Sequence, residues 1–285
     1  HFEDVLDSDG LSEDPITIPV TLTISGTEAL VDFTEAPGTV QSSVNAVRAI
    51  TLAAVHYVFR CLGPDDLPTS SGLTRPLSVR TSPGTIVDAT YPAAVSAGNV
   101  ETSQRLVDLL MGALDRAQPG LVPAASSGSM NNILFGGVDT RPGPSYNDNF
   151  VHYETLAGGS GATSMQSGAD GIHTHMTNTL NTPIEELERI FPVRITRYAL
   201  RPANPSQDSS LHVGGRGIER HYTFLAPAAV TLLTERRTSA PYGLNGGAAG
   251  ACGANQMIRQ DGRVEALGGQ AFIMVESGDT IAIAT

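Results

Sequence analysis

Residues 16–24 read Ile-Thr-Ile-Pro-Val-Thr-Leu-Thr-Ile, a pattern that points to β-structure. Large apolar side chains alternate with threonines, a period of two that is typical of a strand burying one face. Pro19 has no N–H to donate to a neighbouring strand, so it predicts a sheet edge or a bulge. A turn is predicted at 25–28 and a returning strand at 29–33. The sequence therefore predicts an antiparallel hairpin near its start.

Helical periodicity follows the hairpin. Apolar residues at three- to four-residue spacing predict a helix over 43–62, ended by Gly63-Pro64. A second helix is predicted from Asn99, as its N-cap, to 117, before Pro119-Gly120. Residues 183–191 predict a short third helix, and 77–81 an isolated strand. The first 191 residues are thus expected to form a mixed α/β region with glycine-rich active-site loops.

Beyond residue 192 the pattern changes to short strands separated by glycine turns. They are predicted at 193–200, 220–225, 229–235, 256–259, 271–275 and 280–284. We therefore expect an α+β fold of mixed helices and sheets, with a β-rich sandwich or barrel-like part at 192–285.

Composition excludes several classes of function. The 285 residues carry a formal charge of −12, which disfavours nucleic acid and anionic membranes as partners. All 17 cationic residues are arginine, so this chain offers no Schiff-base or phosphate-loop lysine. Two cysteines, Cys61 and Cys252, lack zinc or disulfide spacing, and a reducing cytoplasm is the expected location.

The ends of the chain also carry expectations. Neither a signal peptide nor a membrane span is predicted, because the longest apolar run is interrupted by polar residues. The chain begins at His1, so it is interpreted as a fragment or a processed piece. Six acidic residues among the first fourteen predict a solvated connection.

The densest polar segment is 171–182, which contains His173 and His175. On an extended segment both imidazoles would project to one face, where they could reach one metal ion or one anion. A third ligand would have to come from elsewhere, with Asp170, Glu154 and His152 the nearest candidates. The alternative interpretation is a hydrogen-bonded turn between glycine-rich loops.

A second candidate segment is Ser126–Asn132. The backbone near Gly128 could supply N–H groups to an oxyanion, and Asn131 or Asn132 could hold a substrate amide or carboxylate. No G-x-S-x-G elbow is present, which argues against a serine hydrolase. The glycine clusters at 158–161 and 214–217 lack the pattern of a nucleotide loop.

Several stretches together resemble the hydantoinase B/oxoprolinase B family, in the family's order and across almost the whole chain. They are 31–34 (VDFT), 96–105 (SAGNVETSQR), 130–132 (MNN), 152–155 (HYET), 171–179 (GIHTHMTNT), 198–202 (YALRP) and 234–244 (TERR through YGL). The chain is similar to the C-terminal portion of such proteins. It departs from the family's Asp-Phe-Ser-Gly-Thr at 32–36, where it reads Asp-Phe-Thr-Glu-Ala.

The resemblance implies a cytoplasmic B-type subunit of an ATP-dependent hydrolase of cyclic amides, of hydantoinase, 5-oxoprolinase or lactamase type, within a hetero-oligomer. It implies an A-type partner that binds ATP and Mg²⁺, an upstream half of the B-type subunit, and a divalent metal ion bound mainly outside this chain. The metal ligands of this chain stay unknown, with His173 and His175 as candidates.

On this hypothesis the site residues fall into two groups. His173, His175 and Glu154 are predicted to be catalytic, with a histidine assisting water attack or proton transfer. Residues predicted to bind the substrate are Ser129, Asn131, Asn132, Thr177 and Asn178. Two alternatives stay open: the corresponding subunit of an acetone- or acetophenone-type carboxylase, and a non-catalytic scaffold within such a complex.

Overall fold

The computed structural model describes residues 1–68, 70–143, 147–207 and 211–285. Four α-helices lie within these ranges: α1 (Arg48–Cys61), α2 (Ser71–Thr74), α3 (Ser103–Ala117) and α4 (Ile184–Ile190). A π-helical turn, Gly98–Thr102, leads directly into α3. The strands are β1 (Phe2–Leu6), β2 (Ile16–Ser25), β3 (Glu28–Asp32), β4 (Leu77–Arg80), β5 (Asn132–Val138), β6 (Asn149–Thr155), β7 (Val193–Leu200), β8 (Ile218–Phe224), β9 (Ala228–Leu233), β10 (Ala254–Ile258), β11 (Val264–Leu267), β12 (Gln270–Val275) and β13 (Thr280–Ala284).

The first sheet has the order β1-β2-β3-β4 and packs against α1 and α3. The predicted hairpin forms, with Thr21 opposite Asp32 and Ser25 opposite Glu28. Pro19 lies opposite Glu3 of β1, in the half of β2 that does not pair with β3. It is therefore tolerated because the strand has a neighbour on one side there.

The N-terminal acidic segment differs from its prediction. Phe2–Leu6 is a strand rather than a solvated connection, and Asp4 and Asp7 are buried. The acidic composition concealed the alternation of Phe2, Asp4 and Leu6 on one face. Burial of Asp4 is possible because the guanidinium of Arg236 lies 2.7 Å from its carboxylate.

The helix predicted from residue 43 begins at Arg48. Asn45 is fully buried, and its side-chain amide donates to the carbonyl oxygens of Val40, Ser42 and Ala94 at 2.8 to 2.9 Å. These hydrogen bonds hold the preceding segment in an irregular conformation.

Two further sheets enclose a second core. Their orders are β11-β10-β13-β8-β7 and β12-β9-β5-β6, and Phe135, Tyr222, Phe224 and Val230 pack between them. The α+β prediction and its β-rich C-terminal part are confirmed. The boundary at residue 191 stays a prediction, although the last sheet joins strands from both sides of it.

Four strands were not predicted from the sequence patterns: β1, β5, β6 and β11. Gly136 and Gly137 lie in β5, where an added Cβ would contact the backbone of neighbouring segments closely. The glycines therefore permit close strand packing, whereas the composition suggested loops. In the described ranges no helix has the length and apolar character needed to cross a bilayer.

Candidate functional site

Eight charged side chains from distant parts of the sequence meet inside the molecule. They come from β1 and the residue after it, the π-helical turn, α3, and the segment after β9. All are buried except Arg237, which is partly exposed. We call this set the central cluster: Asp4, Asp7, Glu101, Arg105, Asp108, Glu235, Arg236 and Arg237.

Arg105 and Arg236 hold the cluster together. The Arg105 guanidinium is 3.5 Å from Asp4 and 3.4 Å from Glu235. Arg236 donates to both carboxylate oxygens of Asp4, at 3.1 and 2.7 Å, and to Asp108 at 3.3 Å. These pairs tie β1 and α3 to the segment after β9, because breaking one would leave a buried charge uncompensated.

The cluster holds five carboxyl groups against three guanidinium groups, which favours protonation of some carboxyls. Burial, reinforced by the charge of Glu235, raises the pKa of Glu101 to about 8. Burial also raises the pKa of Glu235 to about 7, with Arg105 opposing and Asp7 adding to the shift. Both groups can therefore hold a proton near neutral pH, as a general acid requires.

Three predicted substrate-binding residues lie against this cluster. The Ser129 hydroxyl accepts hydrogen bonds from the backbone N–H of Asn131 (2.9 Å) and of Glu235 (3.1 Å). Asn131 Oδ1 accepts from Arg237 at 2.7 Å, and the Asn132 amide donates to Glu101 Oε1 at 3.2 Å. The polar segment before β5 is thus fixed by the charged groups around it.

His175 lies beside Asp108 of the central cluster, away from the Glu101 and Arg237 side chains that contact Asn132 and Asn131. Its Nε2 is 3.6 Å from Asp108 Oδ1, and its Nδ1 is 3.3 Å from the Tyr57 hydroxyl. Burial lowers the pKa of His175, and the charge of Asp108 opposes that shift. The neutral imidazole, which can accept a proton, is therefore favoured.

His173 contacts a different set of residues. Its Nε2 lies 3.0 Å from Asn181 Oδ1, and the Asn181 amide donates to the Tyr198 hydroxyl at 2.6 Å. Burial lowers the pKa of His173, with Asn181 and Glu154 opposing. The expected extended segment does not continue through His175, whose φ of 51° is left-handed. The alternation that would direct both imidazoles to one face therefore breaks there.

Glu154 lies in β6 and is held from several directions. Its carboxylate accepts from the Thr182 N–H (2.6 Å) and the Tyr222 hydroxyl (2.7 Å), and lies 3.4 Å from Arg220. Burial would raise its pKa, but His152, Arg220 and these donors outweigh that effect and lower the pKa. An ionised, fully engaged carboxylate of this kind suits positioning better than proton donation.

The remaining predicted residues differ in exposure. Thr177 is buried, and its hydroxyl accepts from Gln104 Nε2 at 2.5 Å, which ties the histidine segment to α3. Asn178 is exposed.

A cavity of about 930 Å³ opens beside the central cluster. Glycine-rich loops form most of its wall, together with the side chains of Arg201, Arg216, Arg236 and Arg237. Among the described lining residues there is no predicted catalytic or substrate-binding residue. The cavity connects to the predicted site through Arg237, which donates to Asn131. A second connection runs through Ser126, whose N–H donates at 3.2 Å to Asp108, the carboxylate beside His175.

The described residues do not fit a complete metal site. Within residues 1–68, 70–143, 147–207 and 211–285, no three His, Cys, Asp or Glu side chains converge as metal ligands. His173 and His175 alone cannot hold an ion, since two ligands are insufficient. Metal binding mainly by residues outside this chain stays a prediction.

Sequence reasoning missed the charged residues of the central cluster as site residues. Glu101 and Arg105 lie in the 96–105 stretch and Glu235 to Arg237 in the 234–244 stretch that carried the family resemblance. Charged residues inside the apolar pattern of α3, namely Arg105 and Asp108, were the available signal, because α3 is buried from Ser103 to Asp115.

Comparison with known proteins agrees with the resemblance. The family model described as hydantoinase B/oxoprolinase matches residues 1–285. The chain is 38% identical over 283 residues to 5-oxoprolinase 1 of Arabidopsis thaliana, covering 99% of this chain and 21% of that protein. It is 32% identical over 284 residues to 5-oxoprolinase of Dictyostelium discoideum, again covering 99% of this chain and 21% of that protein.

Two solved structures share the fold. ATP-dependent caprolactamase from Pseudomonas jessenii has a TM-score of 0.75 at 24% identity, covering 93% of this chain and 46% of that chain. Acetone carboxylase in a nucleotide-free structure has a TM-score of 0.77 at 15% identity, covering 99% and 44%. This chain spans about a fifth of the two 5-oxoprolinases and under half of these structures. With its full length matched by the family model, the chain belongs to the hydantoinase B/oxoprolinase family.

Proposed function

We propose that this chain is the B-type portion of an ATP-dependent enzyme that hydrolyses cyclic amides of the hydantoin, 5-oxoproline or lactam type. The family match across residues 1–285 supports the reaction class. An A-type subunit would bind ATP and Mg²⁺, and an upstream part of the B-type subunit would supply most metal ligands. The proposed setting is a cytoplasmic hetero-oligomer.

The observation that carries the proposal is the arrangement of neutral acid, neutral base and amide groups around the central cluster. Glu101 contacts Asn132, Arg237 contacts Asn131, and His175 lies beside Asp108. Ring opening of an amide needs water to lose a proton and the leaving nitrogen to gain one. Groups of both kinds lie here on one contiguous network.

In this proposal one of the two histidines, His175 or His173, accepts a proton from the attacking water, because burial favours the neutral form of each imidazole. Glu154 is a positioning residue whose charge acts on His173. Asn131 and Asn132 orient the ring carbonyls, supported by Ser129, Thr177 and the exposed Asn178. If substitution of one of these histidines leaves turnover unchanged, the other histidine is the base.

The test uses the complete enzyme assembled with its A-type partner, supplied with ATP and with 5-oxoproline, hydantoin or caprolactam. We expect ATP-dependent ring opening, and a fall in kcat of about a hundredfold or more in His175→Asn or His173→Asn. His56→Asn, a histidine of α1, is the matched control. Full turnover in both site variants would overturn the catalytic assignment.

The rival functions give different results in the same preparation. The related fold of acetone carboxylase makes a ketone carboxylase the second candidate. Bicarbonate-dependent consumption of acetone or acetophenone, without ring opening, would favour it. If substitution of both histidines changes assembly but not turnover, a scaffold role would replace the proposal.

A further inference from the structure

His175 has a polar group beside each of its two ring nitrogens. Asp108 Oδ1 lies 3.6 Å from Nε2, and the Tyr57 hydroxyl lies 3.3 Å from Nδ1. The Tyr57 and His175 rings meet edge to face, with their centroids 5.8 Å apart and an interplanar angle of 75°. The two neighbours therefore determine which nitrogen carries the proton of the neutral imidazole.

Asp108 favours the proton on Nε2. Its carboxylate is paired with the Arg236 guanidinium at 3.3 Å, lies 3.9 Å from Arg105, and accepts from the Ser126 N–H at 3.2 Å. A carboxylate attracts an N–H and repels a nitrogen lone pair. The neutral imidazole is therefore favoured in the tautomer with its proton on Nε2, which leaves the lone pair on Nδ1.

Tyr57 is placed to donate to that lone pair. It lies in α1, is partly buried and packs against the first core. Burial raises the pKa of the Tyr57 phenol above its usual value, and Cys61, one turn further along α1, adds to the rise. The phenol therefore keeps its proton near neutral pH, and its hydroxyl can act as a donor.

The backbone that carries His175 is held by α3. The Gln104 amide donates to the Thr174 carbonyl oxygen at 3.0 Å, and the Thr177 N–H donates to the same oxygen at 3.0 Å. Since α3 also supplies Asp108 and α1 supplies Tyr57, two packed helices fix the direction of the imidazole.

We propose that the Tyr57 hydroxyl donates to Nδ1 of His175 and transfers to it the proton that the attacking water loses. This inference rests on the proposed function and makes His175 the base. Nε2 is unsuited to that role, because it carries a proton and faces Asp108. Nδ1 is reached through the hydroxyl that occupies its lone pair.

The proton transfer leaves Tyr57 unchanged. The phenol O–H bond breaks as its proton moves to Nδ1, and the phenol oxygen takes a proton from water. The water becomes the hydroxide that attacks the ring carbonyl carbon, and the imidazole becomes an imidazolium beside Asp108. Tyr57 ends the step as a neutral phenol, as it began.

The first experiment locates the imidazole protons in the purified chain by NMR with ¹⁵N-labelled histidine. The His175 signals are assigned by their loss in His175→Asn. At a pH where the imidazole is neutral, we expect the proton on Nε2 and a hydrogen bond accepted at Nδ1. Tyr57→Phe should move the Nδ1 resonance toward that of an unbonded nitrogen, whereas Tyr91→Phe, at a fully exposed tyrosine, should not.

Two results of this experiment would overturn the proposal. One is a wild-type imidazole with its proton on Nδ1, a measurement that needs no folded variant at position 57. The other is an Nδ1 resonance that Tyr57→Phe leaves unchanged.

The second experiment measures ring opening by the complete enzyme assembled with its A-type partner. We expect Tyr57→Phe to lower kcat by about tenfold or more. KM should change by less than about twofold, because the hydroxyl acts in the chemical step. Tyr91→Phe should retain both constants. An unchanged kcat in Tyr57→Phe, with His175→Asn inactive, overturns the proton transfer.

A third experiment separates proton transfer from a purely structural role of Tyr57. Replacing Tyr57 with a ring-fluorinated tyrosine keeps the hydroxyl and makes the phenol more acidic. We expect kcat to recover near neutral pH and to decline at a lower alkaline pH than in the wild type, because a phenolate cannot donate. An alkaline decline at the wild-type pH would contradict the transfer.

The remaining outcomes distinguish this inference from the proposed function. Full turnover in His175→Asn together with an inactive His173→Asn overturns the role of Tyr57 and leaves ring opening by the enzyme intact. An assembled enzyme that opens no ring contradicts the proposed function and with it the proton transfer, whereas the hydrogen bond from Tyr57 to Nδ1 is decided by the NMR experiment alone.

Discussion

Glu101 is fully buried in the π-helical turn before α3, and its pH behaviour follows from that position. Its pKa rises to about 8 in the folded protein, against about 4.3 in an unfolded chain. The folded state then binds the proton more tightly. Stability contributed by the protonated form is complete below the unfolded pKa and declines as pH rises toward 8, by at most about 1.4 kcal/mol per pH unit.

Glu101→Gln replaces the protonated carboxyl with a neutral group of nearly equal shape. We expect the free energy of unfolding, from urea titrations at pH 5.5 and 8, to change less between the two pH values in the variant than in the wild type. Glu185→Gln, at an exposed position of α4, should retain the wild-type difference. An unchanged pH dependence in Glu101→Gln would show that Glu101 is ionised throughout this range.

Whether a residue of the candidate site could be proposed from the sequence depended on how far along the chain its partners lie. Ser129, Asn131 and Asn132 could be proposed from the sequence because they form one short polar run, and the structure places them against the central cluster. Glu235 was not, because what distinguishes it is contact with Arg105, 130 residues away in the sequence. A burial pattern cannot reveal an ion pair of that separation before the fold is known.

Among the elements, α3 and β1 show how a local pattern can predict a helix and miss its neighbour. Helical spacing identified α3, but the acidic composition concealed β1. Gly112 of α3 lies where an added Cβ would overlap the ring of Phe2. The glycine therefore permits the close approach of the two elements.

The change in stability caused by Gly112→Ala tests whether this contact forms. Alanine in a helix normally stabilises by about 1 kcal/mol relative to glycine, whereas overpacking costs about 1–3 kcal/mol. Since the Phe2 ring occupies the space, we expect the variant to unfold at a lower urea concentration than the wild type.

Two further variants test whether overlap with the Phe2 ring causes the loss of stability. The double variant Gly112→Ala/Phe2→Leu should recover part of the loss, because the smaller side chain frees the space. Gly72→Ala, in α2, meets Ser70 Oγ at an ordinary 3.4 Å and should not destabilise. A stabilised Gly112→Ala would mean that β1 is not packed on α3 in solution.

For the whole molecule, the sheet β12-β9-β5-β6 is unequal on its two faces. The inner face supplies the second core, while the outer face presents two registered rows. One row is Phe272, Thr231, Leu134 and Tyr153, and the other is Met274, Ala229, Gly136 and Val151. Phe272 is 72% exposed and Val151 69% exposed. A strand with one apolar face shows period-two alternation in its sequence, but a strand with apolar residues on both faces does not. This is one reason why β5 and β6 were not predicted.

The isolated chain should bind apolar dyes on this outer face, because such dyes bind to exposed apolar surface. The signal should be distinctive, since soluble proteins rarely expose contiguous apolar patches of this kind. We expect the double variant Phe272→Thr/Met274→Thr to reduce the fluorescence of bound anilinonaphthalene sulfonate by about half or more, at an unchanged Tm. Both side chains are exposed and threonine suits a strand, so the fold should not change. Leu211→Thr, at an apolar residue outside the sheet that is more exposed still, is the control. Equal dye binding in all three proteins would show that this face is covered in solution, for example by self-association, which sedimentation velocity would detect.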